Sequence, residues 1–84
     1  ASARAMRILL VEDTKDVGEA IVSRLTRIGH AVDWATDGLI ADEILGVQAY
    51  DLVILDVMLP GLDGFTVLPR LRGRASRMPV LVLT

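Results

Sequence analysis

The sequence contains no cysteine, which excludes a disulfide framework and any thiolate metal site and accords with a reducing compartment. Aromatic residues are almost as scarce, with one Trp, one Tyr and one Phe in 84 residues. Because 52% of the residues are nonetheless hydrophobic, the core must be aliphatic, as in parallel strands covered by helices. No apolar run approaches the roughly 20 residues that span a bilayer, and the N-terminus lacks a signal-peptide h-region; the expectation is a soluble cytoplasmic protein without membrane contact. A formal charge of -2 and a pI near 5.1 argue against direct nucleic acid contact by this segment. Eighty-four residues allow one small domain, which buries only somewhat more than ~60% of the surface its unfolded chain exposes.

What is present is organised around Leu52 to Gly64, LVILDVMLPGLDG. Leu52 to Leu55 is too short and too rich in branched side chains for a helix and suits a strand buried on both faces. Asp56 follows at once, and Pro60, Gly61, Asp63 and Gly64 supply turn chemistry, so Asp56 is expected at the carboxyl end of a central strand. Ala1 to Ala5 has no pattern and precedes Met6; it reads as a cloning remnant, with the domain beginning at Met6. Arg7 to Val11 is a first strand, ending in Glu12, Asp13 and Thr14, residues that bind cations or cap helices. From Asp16 to Ile28, Val17, Ala20, Ile21, Leu25 and Ile28 recur at helical spacing, which predicts one buried stripe with Glu19, Ser23, Arg24 and Arg27 in water. Gly29 is the stop.

His30 to Ala35 alternates, with Val32 and Trp34 on one face and Asp33 on the other, as in an edge strand or one covered mainly on one side. Thr36, Asp37 and Gly38 form a turn and cap for a second helix over Leu39 to Val47, which turns Ala41, Ile44 and Leu45 inward. Phe65, Val67, Leu68 and Leu71 mark a third helix, kinked or shifted by Pro69, and Pro79 to Leu83 a fourth strand ending at Thr84. The order βαβαβαβ implies an α/β fold with a parallel sheet. The carboxyl ends of its strands then share one rim. With the first and third strands adjacent, a crevice opens there, lined by Glu12, Asp13 and Asp56.

Close carboxylates repel unless a cation balances them, and an all-oxygen set favours a hard ion such as Mg²⁺. Magnesium would draw a phosphate group, Asp56 could act as a nucleophile to form an aspartyl phosphate, and Thr84 could donate a hydrogen bond to a phosphoryl oxygen. Each signal has a plainer reading. Taken singly, Glu12 and Asp13 more often make a capping turn, Asp56 a strand-end loop residue, and Thr84 carries almost no information. His30 reads as a loop or strand-edge residue, Trp34 as core or edge packing, and Arg70, Arg72, Arg74 and Arg77 as a solvated face. Other phosphate sites are excluded more directly: neither G-x-G-x-x-G after the first strand nor a Walker G-x-x-x-x-G-K-[ST] occurs. An aspartate-nucleophile phosphatase would repeat an acid two positions after Asp56, where this chain has Met58.

ILLVED at Ile8 to Asp13, LVILDVMLPGLDG at Leu52 to Gly64 and PVLVLT at Pro79 to Thr84 together resemble the receiver domain of two-component response regulators. MLPGLDG and the following LPRLRGR look most like the winged-helix transcription-factor class. The resemblance covers Met6 to Thr84. It implies a flavodoxin-like doubly wound sheet of strand order 2-1-3-4, without the last helix, fifth strand, its lysine and the final helix of the family. It implies Asp56 as phosphoacceptor from a sensor histidine kinase, with Asp13 a direct Mg²⁺ ligand and Glu12 acting mainly through water. Asp56 and the backbone carbonyl of Met58 would complete the protein ligands, and Thr84 would be the switch hydroxyl. The expected role is regulatory rather than enzymatic, controlling a transcriptional output domain outside this segment. The alternative is a self-associating assembly module with an idle acidic pocket, pairing as a homodimer or swapped assembly through the open edge of the fourth strand and the bare sheet face.

Overall fold

A computed structural model describes residues 5–56 and 79–83, with the backbone alone described at Asp56 and Leu83. The order is β1 (Arg7–Val11), α1 (Lys15–Ile28), β2 (Ala31–Ala35), α2 (Gly38–Leu45), β3 (Leu52–Asp56) and β4 (Val80–Leu83). The expected third helix, Pro69 and the arginine cluster from Arg70 to Arg77 lie outside the described residues, as do Met58 and Thr84. The four described strands form one parallel sheet in the order β2-β1-β3-β4, the expected arrangement.

Consecutive strand side chains point to opposite faces, so the continuous apolar runs of β1 and β3 supply two cores at once. Leu9, Val11, Val53 and Leu55 face one side, where Ala41, Ile44 and Leu45 of α2 cover them. Ile8, Leu10 and Ile54 face the other, under Ile21, Val22 and Leu25 of α1. The chain leaves β1 toward β2 and then crosses back to β3, so its two helices lie on opposite faces. This is the reversal that opens a crevice at the carboxyl edge of a doubly wound sheet.

Two helical expectations need correction. The buried stripe of α1 is Gly18, Ile21, Val22 and Leu25, whereas Val17 is 45% and Ile28 64% exposed, and Ala20 also faces solvent. The reason is the close approach of α1 to β2: Gly18 lies against the Trp34 ring, where a side chain would not fit, and this fixes the rotation of the helix. The second helix begins at Gly38 and ends at Leu45, short of Val47, which is 89% exposed. Its start is set by Asp37, whose carboxylate accepts from the Ile40 amide at 2.8 Å as an N-cap. Smaller shifts occur elsewhere: α1 starts at Lys15, β2 at Ala31 and β4 at Val80, each one residue from the expected position. Gly29 ends α1 as expected, with φ of 115°.

Candidate functional site

The acids are brought to one end of the sheet by strand register. Val11 of β1 pairs with Leu55 of β3 in parallel, so the next residues along these strands are Glu12 and Asp56. Adjacent strands lie about 5 Å apart, which sets the backbone separation of the two acidic positions. Asp56 in turn pairs with Leu83, the residue before Thr84, so the fourth strand delivers its end to the same rim. Forty-odd residues of sequence separation are thereby converted into adjacency.

Glu12 and Asp13 occupy the short turn between β1 and α1 and differ sharply in environment. Glu12 is 3% exposed, while Asp13 faces solvent. The Glu12 amide donates to the Ala35 carbonyl at 3.0 Å, which carries the β1–β2 ladder one residue past the strand. Its own carbonyl accepts from Trp34 Nε1 at 2.8 Å. Its carboxylate Oε1 accepts from the Thr14 amide at 3.3 Å. Thr14 is the N-cap of α1, extended in conformation and without a side-chain capping bond. The capping reading and the ligand reading of Glu12 are therefore compatible, since the carboxylate reaches the start of the helix from the rim, where the helix dipole favours negative charge.

Among the described side chains, which do not include that of Asp56, no three His, Cys, Asp or Glu groups gather to hold a metal. The candidate set needs Asp56 to complete it. Two carboxylates from one turn, with a third acidic position next to them in register, would make an all-oxygen donor set without nitrogen or sulfur, of the kind that suits a hard divalent cation.

A second polar cluster escaped the sequence reading. Tyr50 Oη donates to Asp33 Oδ2 at 2.6 Å, and Arg7 Nη2 donates to the same oxygen at 3.3 Å. The Arg7 guanidinium also lies 5.7 Å from the centre of the Tyr50 ring. The Tyr50 hydrogen bond, and then Arg7, hold the Asp33 carboxyl below its ordinary range against the opposing effect of burial. Burial, and then Asp33, push the Tyr50 hydroxyl up to about 12. Asp51 closes the cluster by accepting from the Arg7 amide at 2.7 Å, which ties the segment before β3 to the start of β1. It is a structural tie, and separations of 17 and 26 residues hide it from local pattern. His30, read as a loop or strand-edge residue, lies just before β2, with Nδ1 accepting from the Met6 amide at 3.0 Å. An open groove of about 530 Å³ runs along α1 between Glu19, Val22, Thr26 and Trp34, apart from the acidic turn.

The model of the response regulator receiver domain matches residues 8–84. The chain belongs to the response regulator receiver family. Similar proteins include the transcriptional regulatory protein QseB of Escherichia coli O157:H7, 47% identical over 79 residues, covering 94% of this chain and 36% of QseB. The transcriptional activator protein IrlR of Burkholderia pseudomallei is 52% identical over 79 residues, covering 94% of this chain and 34% of IrlR. The chain thus spans about a third of the length of these relatives. Among solved structures, the receiver domain of the sensor histidine kinase PA1611 from Pseudomonas aeruginosa superimposes with a TM-score of 0.91 at 32% identity, covering 96% of this chain and 68% of that one. That structure has magnesium coordinated in its active site cleft. The non-phosphorylated HemR receiver domain of Leptospira biflexa gives a TM-score of 0.87 at 37% identity, covering 93% of this chain and 63% of that one. The flavodoxin-like fold and the receiver reading stand on these matches, and the self-association alternative gains nothing from them. Among the described residues no helix is long and apolar enough to cross a membrane.

Proposed function

We propose that this receiver domain takes a phosphoryl group from a phosphohistidine of a sensor histidine kinase onto Asp56 and thereby regulates a transcriptional output domain in the cytoplasm. An Asp56 carboxylate oxygen attacks phosphorus, the P–N bond to the kinase imidazole breaks, and its electron pair returns to that nitrogen, which is then protonated. The reading is carried by the register of Val11 against Leu55, which brings the Glu12–Asp13 turn alongside the Asp56 position. Glu12, Asp13, Asp56 and the Met58 backbone carbonyl would hold Mg²⁺. When bound, that ion neutralises charge gathering on the phosphoryl oxygens.

The residues of the chain supply the rest. Asp13 offers an exposed carboxylate at the rim. Glu12 is the more enclosed acid and orients the turn. Thr84 follows the residue paired with Asp56 and would donate its hydroxyl to the phosphoryl group. The relatives that cover the chain are transcriptional regulators, which supports the output assigned to the longer protein. Incubation of the full natural chain with Mg²⁺ and acetyl phosphate should add the mass of one phosphoryl group, and Asp56→Asn should abolish the addition. Labelling that persists in Asp56→Asn, or no labelling of the unaltered protein, would overturn the proposal.

A further inference from the structure

We infer that Trp34 is a positioning residue for the acidic pocket, because its indole N–H fixes the peptide plane that joins Glu12 to Asp13. The inference rests on the reading of this rim as a Mg²⁺ and phosphoryl site. Glu12 lies one residue past the end of β1, where a chain entering a turn has lost the ladder that holds it. Here both of its backbone groups are still held, and both by β2. Its amide donates to the Ala35 carbonyl at 3.0 Å, and its carbonyl accepts from Trp34 Nε1 at 2.8 Å. A peptide unit is planar, so fixing the Glu12 carbonyl also fixes the nitrogen and Cα of Asp13. The two acids then leave the strand in a defined relative orientation.

The indole is itself confined. Its six-membered ring lies against Gly18 in the first turns of α1, in space that no other residue type at position 18 would leave open. It also packs against the Ile8, Leu10 and Ile54 cluster, and Trp34 pairs in register with Leu10, two residues before Glu12. A tryptophan confined on both sides has little freedom to reorient its N–H. The plainer reading is that a partly buried indole simply needs an acceptor. The two readings differ in what they predict for metal affinity.

The test uses the full natural chain carrying Trp34→Phe, which keeps an aromatic side chain in β2 and removes the donor. The Asp13 amide resonance is followed by NMR through a Mg²⁺ titration, with thermal melting in EDTA as the stability control. Removing outer-shell partners of metal ligands typically weakens binding by about 10- to 100-fold. Trp34 acts through the backbone of Glu12, so the expected rise in the half-saturating Mg²⁺ concentration is smaller, about 3- to 10-fold by the same comparison. Should Trp34→Phe fail to fold, replacing Trp34 by its benzothienyl isostere, in which sulfur stands for N–H, gives the same comparison with the ring outline kept.

A lower melting temperature with unchanged half-saturation would assign Trp34 to packing alone and overturn the inference. A weaker Mg²⁺ response together with restored affinity on substitution by 7-azatryptophan, which keeps the N–H, would support it. If the unaltered protein shows no Mg²⁺-dependent shift that Asp13→Asn removes, the proposed function and this inference fall together. If it does show one and the donor-free variants match it, only the inference about Trp34 falls.

Discussion

Gly18→Ala tests whether the contact between α1 and β2 is as tight as the structure has it. A methyl group at position 18 would sit 2.7 Å from Trp34 Cη2 and nearer still to Cζ2 and Cε2, well inside van der Waals contact. In an exposed helix interior the same change stabilises by about 1 kcal/mol through helix propensity. Overpacking costs about 1–3 kcal/mol. Turning the ring aside adds the loss of the Nε1–Glu12 hydrogen bond, about 0.5–1.5 kcal/mol. The clash therefore wins, and a net destabilisation of about 0.5–3.5 kcal/mol follows from these three contributions. For a domain of this size that lowers the melting temperature by about 2–28 °C. Urea denaturation should show a lower midpoint with the same slope. The sign should reverse in a Trp34→Ala background, where the obstacle is gone and only the propensity gain remains. Gly18→Ala as stable as the parent, or equally harmful in both backgrounds, would refute the packing argument.

The Arg7–Asp33–Tyr50 cluster should make stability pH-dependent at both extremes. Asp33 is held below its ordinary value, so its contribution is present above about pH 4 and is lost as pH falls through its folded-state pKa. Tyr50 is raised to about 12, so its contribution is present below about pH 10 and disappears as pH rises toward that value. Urea midpoints across pH should lose the alkaline decline in Tyr50→Phe, and retention of the full decline would remove Tyr50 as its source. Asp37→Ala should cost about 1 kcal/mol by leaving the Ile40 amide without its cap, read as a lower midpoint in urea. At the rim, Asp13→Asn should weaken Mg²⁺ binding more than Glu12→Gln does, measured by titration calorimetry on folded variants; the reverse ranking would contradict the exposure of the two acids.

The strands were legible because their signal is local and strong. β1 runs over Arg7–Val11 as read, and the central run ending at Asp56 is a strand buried on both faces. The rotation of α1 was not legible, because counting apolar side chains gives Gly18 no weight, although it lies buried against the Trp34 ring. An interior helical glycine with a lone tryptophan in the next element was the available signal. The tie from Tyr50 to Asp33 and Arg7 had no such signal, since it joins two strands and the segment before β3 through side chains whose types are individually unremarkable. Of the site, the two acids of the first turn and the position of Asp56 were legible from strand ends and turn chemistry. The role of Trp34 was not, because an indole donating to a backbone carbonyl leaves no spacing pattern.

The two adjacent acids need not share one task, and the geometry gives a reason to separate them. Glu12 has one carboxylate oxygen engaged with the Thr14 amide, its amide and carbonyl both engaged with β2, and only 3% of its surface exposed. A carboxylate so enclosed can move little to meet a ligand, and its burial is tolerable only while such hydrogen bonds persist. Asp13 stands one peptide further on, exposed, with its backbone already oriented by the bond to the Glu12 carbonyl. Mg²⁺ demands near-octahedral oxygens and gives up its waters reluctantly. An exposed carboxylate on a fixed backbone suits direct coordination, and an enclosed one suits holding a coordinated water. The asymmetry between Glu12 and Asp13 therefore follows from how β2 grips the end of β1, and the strand that carries none of the proposed ligands sets the geometry of two of them.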